Sequence, residues 1–183
     1  MSPPVSGLDN VPWPPELLAT PRLVLRPTRA GDRPGYLDLL SSSQAREFLG
    51  GPLRREELER LVPGVPAEHP GVFAVERGGE FIGIVVVNRR ASERPGHLTP
   101  DGSEPEVSYT LLPGAWGHGF ATEAVGGVLG WLSEAAPRDP HVVLCTQSAN
   151  RASVRVADKL GFVEIERFEE FGAEQWFGAR PLR

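Results

Sequence analysis

Residues 106–124 read Glu-Val-Ser-Tyr-Thr-Leu-Leu-Pro-Gly-Ala-Trp-Gly-His-Gly-Phe-Ala-Thr-Glu-Ala, an alternating strand pattern that passes through a Gly-x-Gly turn straight into a helical pattern. A helix start leaves about four backbone N–H groups without intrahelical acceptors and carries roughly half a positive charge. A turn without side chains at that point can hold phosphate oxygens. The same glycines would also serve an ordinary turn, so the flanking residues must decide.

Two nucleotide patterns fail at this junction. The dinucleotide fingerprint needs a third glycine and an acidic residue at the end of the next strand. Thr122 stands in the third-glycine position, and Cys145-Thr146 ends the next strand. The phosphate loop of nucleotide hydrolases needs Gly-Lys-Ser or Gly-Lys-Thr, and neither tripeptide occurs.

Other residues could carry chemistry. Asn150 heads a helical segment, where it would act as an N-cap, and Ser153 lies one turn later on the same face. Glu106 begins the strand that leads to the turn; a strand-end carboxylate in water is the plain reading. Cys145 sits in an apolar strand with no histidine signalled beside it, the setting of a structural thiol rather than a nucleophile. His69, His97 and His141 lack paired metal-ligand spacing, so no metal site is expected.

Composition narrows the partners. The chain has 183 residues, with 19 Lys and Arg against 24 Asp and Glu and a net charge of -5. That balance argues against a broad nucleic-acid face and slightly favours a cationic or amine substrate. The four tryptophans read as packing residues. One cysteine cannot form an intrachain disulfide. No apolar run reaches the length of a membrane span, and the start has neither a basic nor an apolar leader region, so a cytoplasmic protein without membrane contact is expected.

The elements that must position these residues follow from periodicity. Residues 1–16 carry five prolines and are expected to form an extended or partly disordered arm, with the domain occupying 17–183. Leu23 to Pro27 is a short strand, Asp32 caps a helix through Leu40, and 54–61 is a second short helix. Strands 72–76 and 80–88 flank Arg77-Gly78-Gly79 as a hairpin. Residues 91–105 read as an exposed loop, 106–112 as a strand and 120–134 as a helix. His141 to Thr146 is then a strand parallel to the one at 106–112. Asn150 to Leu160 is a helix closed by Gly161, and strands follow at 162–165 and 174–182. Gly126, Gly127 and Gly130 each weaken their helix by about 1 kcal/mol, which close packing would offset.

Four motifs in this order resemble the GNAT acyltransferases, and within them the ribosomal-protein N-acetyltransferase branch. They are Leu-Ala-Thr-Pro-Arg-Leu-Val-Leu-Arg-Pro at 18–27, Phe-Ile-Gly at 81–83, Trp-Gly-His-Gly-Phe-Ala-Thr-Glu-Ala at 116–124 and Asn-x-x-Ser-x-Arg-Val-x-x-Lys-Leu-Gly-Phe at 150–162. The resemblance implies an α/β (α+β) fold: a mixed sheet of about six or seven strands, flanking helices and one splayed parallel pair. It implies acetyl-CoA as cosubstrate and a primary amine as acceptor, a protein N-terminus or a small molecule, with a homodimer left open. Gly117, His118, Gly119, Phe120, Ala121 and Thr122 would then line the pyrophosphate, and the backbones of Leu111 and Leu112 the pantetheine arm. An amide near Leu112 would stabilise the oxyanion, Asn150 would touch the pantetheine or acyl region, and Ser153 would donate to the departing thiolate. Glu106 would accept the amine proton, with Glu104 and Tyr109 as alternatives. Residues 28–70 and 91–105 would shape the acceptor pocket.

Two positions depart from the family. Gly114 stands where a Gln or Arg usually opens the loop, and Ala157 stands where many members carry an acid tyrosine. These departures keep a second reading open, a non-catalytic acyl-CoA-binding or sensing module. A nucleotide-phosphate binder is the third.

Overall fold

The structure, a computed structural model, describes residue 8 and residues 11–183. In chain order it runs β1 (Leu18–Ala19), β2 (Val24–Arg26), α1 (Arg33–Ser41), α2 (Arg55–Leu61), β3 (Val72–Arg77), β4 (Glu80–Arg89), β5 (Pro105–Leu111), α3 (Phe120–Ala135), β6 (His141–Gln147), α4 (Arg151–Lys159), β7 (Val163–Glu170) and β8 (Ala173–Pro181). The strands form one mixed sheet in the order β1-β2-β3-β4-β5-β6-β8-β7. Every neighbouring pair is antiparallel except β5 and β6, which are parallel. The sheet thus has eight strands where six or seven were expected. The added strand is β1, and two residues are too few to show a period.

Alternation builds the core. Phe73, Val75, Val85, Val87 and Val107 are buried in one cluster with Ala124, Val125, Val128, Leu129 and Leu132 of α3. The α3 residues recur at three- and four-residue spacings, so one stripe of the helix meets the sheet face. The β3–β4 turn places Gly78 and Gly79 at φ of 57° and 88°, the left-handed pair that a two-residue hairpin needs.

The proline-rich segment is partly built into this core. Leu8 and Val11 are buried there, and Trp13 packs edge-on against Phe73 and Trp131 at centroid distances of 5.1 and 6.1 Å. The prolines deny backbone pairing, while the apolar side chains between them still gain by leaving water. The rest of the expected arm lies outside the described residues.

Asp32 does not cap α1 through its side chain as expected. Its carboxylate instead takes both terminal guanidinium nitrogens of Arg26 at 2.7 Å each and the Arg29 amide at 2.9 Å. Both partners are buried, and Arg26 also reaches Glu76 at 2.8 Å, so this network ties β2 and β3 to the start of α1. Burial pushes the Asp32 carboxyl up, but the bonds from Arg26 and Arg29 outweigh it and hold the group below its ordinary value. A carboxyl lowered by folding stabilises the protein above its unfolded pKa and loses that contribution as pH falls through the folded value. Asp32→Ala should therefore cost about 3 kcal/mol at pH 7, because Arg26 stays buried with one partner fewer. In urea unfolding, the gap between the variant and the parent should narrow below about pH 4.

The helix glycines divide into two kinds. A Cβ on Gly127 would meet Leu25 Cδ1 at 2.9 Å and Thr20 Cγ2 at 3.0 Å, so close packing accounts for it, whereas a Cβ on Gly130 would meet nothing within 4 Å. Gly130→Ala should raise stability by up to about 1 kcal/mol, visible as a higher melting temperature. Gly127→Ala should give none of that gain.

Candidate active site

The register of β5 and β6 opens the sheet. The two strands pair only at Glu106 opposite Val143, and a cavity of about 1050 Å³ lies where they part. Its walls come from β5, β6, the 115–122 turn, α4 and residues 44–50. That volume is at the upper end of ligand pockets, which run to roughly 1,000 Å³.

The amide of Leu112 donates to the Ile82 carbonyl at 2.8 Å. Groups alternate sides along a strand, so Leu112 and Thr110 face β4, while the amides of Leu111 and Tyr109 face the opened gap. This corrects the expectation for Leu112: its N–H is already used and cannot serve an oxyanion. The Leu111 carbonyl accepts from Trp116 Nε1 at 2.9 Å, which leaves the Leu111 amide as the group turned toward the cavity.

The turn then enters α3. Gly117 and Gly119 both have φ of 79°, and Gly119 is the left-handed N-cap without a side chain to fill the helix start. The first amide bonded back to the cap is that of Glu123, at 3.1 Å, so the amides of Phe120, Ala121 and Thr122 lack intrahelical acceptors. Gly117, Gly119, Phe120, Ala121 and Thr122 all line the cavity. His118 does not: its carbonyl accepts from Arg22 at 2.9 Å and its ring lies 5.4 Å from that of Phe120. Arg22 also meets Glu123 at 2.6 Å and lies 4.7 Å over Phe120, bracing the turn from outside. The sequence carried no signal for this brace, which joins residues about a hundred positions apart. Gly114 lines a separate small hollow with Leu112.

Across the gap, Asn150 caps α4 by accepting the Ser153 amide at 3.1 Å. The Ser153 hydroxyl accepts from the Tyr109 phenol, also at 3.1 Å, and both side chains line the cavity. Burial pushes the Tyr109 phenol up, and its bond to Ser153 offsets part of that rise. Ala157 is fully buried in the core. Arg155 and Lys159, one turn apart on α4, line the cavity as exposed cations.

Glu106 lies where β5 and β6 are still joined. It is buried, lines the cavity, and meets Arg90 at 2.9 Å and Arg94 at 3.5 Å. Arg94 is held more tightly by Glu170, at 2.7 and 3.0 Å, and this contact holds the Glu170 carboxyl below its usual range. Glu104 is not part of the cavity wall: it accepts the amides of Leu98 and Thr99 and meets His97 Nδ1 at 2.8 Å, closing the 97–104 loop. Its candidacy as a base therefore lapses. Gln147 fixes residues 44–50 against the cavity by donating to the Phe48 carbonyl at 3.1 Å, a contact that periodicity could not reveal. Among the described residues no cluster of His, Cys, Asp and Glu could hold a metal ion.

Cys145 lines the cavity, and burial pushes its thiol up to about 11. Near neutral pH only about one molecule in ten thousand would carry the thiolate. Alkylation by iodoacetamide, followed by intact mass, should be slow at pH 7.4 and rise steeply toward pH 11. Incubation with acetyl-CoA alone should leave no acetyl group on the protein.

Residues 22–163 match the family model described as the acetyltransferase (GNAT) domain. A solved acetyltransferase from Agrobacterium tumefaciens str. C58 superposes with a TM-score of 0.71 at 25% identity, over 94% of this chain and 98% of that one. RimL, a ribosomal L7/L12 alpha-N-protein acetyltransferase in complex with coenzyme A, gives 0.68 at 15% identity, over 91% and 98%. The aminoglycoside acetyltransferase AAC(6')-Ib, in complex with ribostamycin and coenzyme A, gives 0.69 at 18%, over 87% and 93%. The last two likenesses speak to the fold alone. With the family model covering most of the chain and the opened sheet leading into the glycine turn, the chain belongs to the GNAT acetyltransferases.

Proposed function

We propose that this protein is an acetyl-CoA-dependent N-acetyltransferase in which a primary amine attacks the bound thioester directly. The observation that carries this reading is the parting of β5 from β6 beside three unpaired helix-start amides. An extended pantetheine arm fits between separated strands, where it meets backbone groups facing it from both sides. A pyrophosphate fits the start of α3, where Gly117 and Gly119 allow close backbone approach and Thr122 adds a hydroxyl. The thioester supplies the activated acyl group, and the other steps fall to the chain.

The amides of Tyr109 and Leu111 face the gap and are the donors available where negative charge develops on the carbonyl oxygen; such a donor is worth about 3 kcal/mol. Asn150 orders the first turn of α4, and Ser153 presents a hydroxyl to the departing sulfur. Glu106 receives the amine proton through water at Oε2, the oxygen held less closely by its arginine. Only the neutral amine attacks, and an alkyl amine is mostly protonated near pH 7, so a proton acceptor near the acceptor end is required. Cys145 stays protonated and forms no acyl intermediate.

The acceptor is a protein N-terminus or a small-molecule amine. The motif at 18–27 favours the ribosomal-protein branch. The second reading, an acyl-CoA sensor without turnover, draws on Ala157 and Gly114. Calorimetry with acetyl-CoA combined with coenzyme A release over peptides, polyamines and aminoglycosides separates the two. Binding with turnover supports the enzyme, and binding without turnover for any acceptor supports the sensor. Glu106→Gln should lower kcat by 10²-fold or more, on the order of general-base contributions. Unchanged rates across pH 6 to 9 would remove Glu106 as the base.

A further inference from the structure

We infer that Tyr109 is a positioning residue: its phenol, donating across the opened gap to Ser153, sets the serine hydroxyl as a donor aimed at the leaving sulfur. The inference rests on the acyltransferase reading above and adds a residue to it. Tyr109 belongs to β5 and Ser153 to α4, so their 3.1 Å hydrogen bond links the two walls of the cavity in the stretch where β5 and β6 no longer pair. Ser153 is already pinned through its backbone by the Asn150 cap. What remains free is the rotation of its hydroxyl.

A serine hydroxyl has one proton and two acceptor positions. Accepting from Tyr109 occupies one acceptor position and leaves the proton for another partner. A serine in the first turn of a helix otherwise tends to bond to nearby backbone groups. The phenol directs it away from that alternative. Hydrogen bonds in series also polarise one another, so a serine that accepts becomes a better donor. Burial, by raising the phenol, keeps Tyr109 neutral and donating throughout the working range. No proton leaves Tyr109. As the carbon–sulfur bond breaks, the electron pair stays on sulfur, the Ser153 O–H stabilises it, and the thiolate later takes its proton from water.

Ala157 gives the arrangement its purpose. Ala157, one turn beyond Ser153 on the same helix, is fully buried in the core and offers no donor to the sulfur. Ser153 is too short to fix its own direction, and a tyrosine from the facing strand supplies it.

The test compares coenzyme A with desulfo-coenzyme A by calorimetry on the full chain, so that it needs no acceptor. In the parent the sulfur should add several-fold to affinity, more so as pH rises from 7 to 9 and the thiol begins to ionise, and this ratio should fall by about five-fold in Tyr109→Phe and in Ser153→Ala alike. The double variant should lose no more than either single one, because the phenol acts through the serine. Tyr109→Phe should leave the affinity for desulfo-coenzyme A and the melting temperature close to those of the parent. With a turned-over amine, the same variant should lower kcat by about five-fold and leave KM for acetyl-CoA within two-fold. Independent, additive losses in the double variant, or a loss shared equally by desulfo-coenzyme A, would overturn the inference. Failure of the parent to bind coenzyme A at all would overturn the acyltransferase reading and this inference with it.

Discussion

The candidate site depends on one constraint: β5 and β6 are parallel neighbours that meet at a single position. An antiparallel pair could be joined by a tight turn and would zip along its length, whereas a parallel pair needs a crossover, and here that crossover is α3. The crossover sets the start of the helix beside the mouth of the gap. The helix-start amides, the strand amides and the α4 cap therefore converge without any single residue having to reach far. The cavity is a product of topology first and of side chains second.

Charge is organised at the two ends of that gap in different ways. Toward α3 there are unpaired amides, with Arg155 and Lys159 on the neighbouring helix, an arrangement suited to anions. At the joined end, Glu106 and Glu170 interleave with Arg90 and Arg94 into a compact network. Arg90 is almost wholly buried and also donates to the carbonyls of Pro95 and Gly96. The long 91–104 loop is thus fastened to the same carboxylate that lines the cavity. Loop position and the charge on this cavity wall share one set of residues.

Much of this was legible in the residues. Alternation in 72–88 and 106–112, the Gly-Gly turn, the 120–134 stripe and the Asn150 cap each reflect local rules, and the structure has each element within a residue or two of its expected place. The parallel sense of β5 and β6 also followed from a strand, a helix and a strand in succession. Other features depend on contacts distant in sequence. Asp32 looked like a cap because its partner Arg26 sits in another element, and Leu112 looked available because nothing local shows which side of the strand its amide takes. Glu104, Arg22 and Gln147 belong to the same class.

The docked N-terminal stretch differs in kind from everything it touches. Among the described residues no backbone hydrogen bond joins 8–16 to the sheet; the attachment is through Leu8, Val11 and Trp13. An attachment made of apolar contact alone has the temperature signature of hydration, growing weaker as water is cooled, while the ladder beneath it does not share that dependence. The stretch is therefore a seam that cold loosens first. Lifting it would wet the Phe73 and Trp131 rings that close the sheet face beside α3.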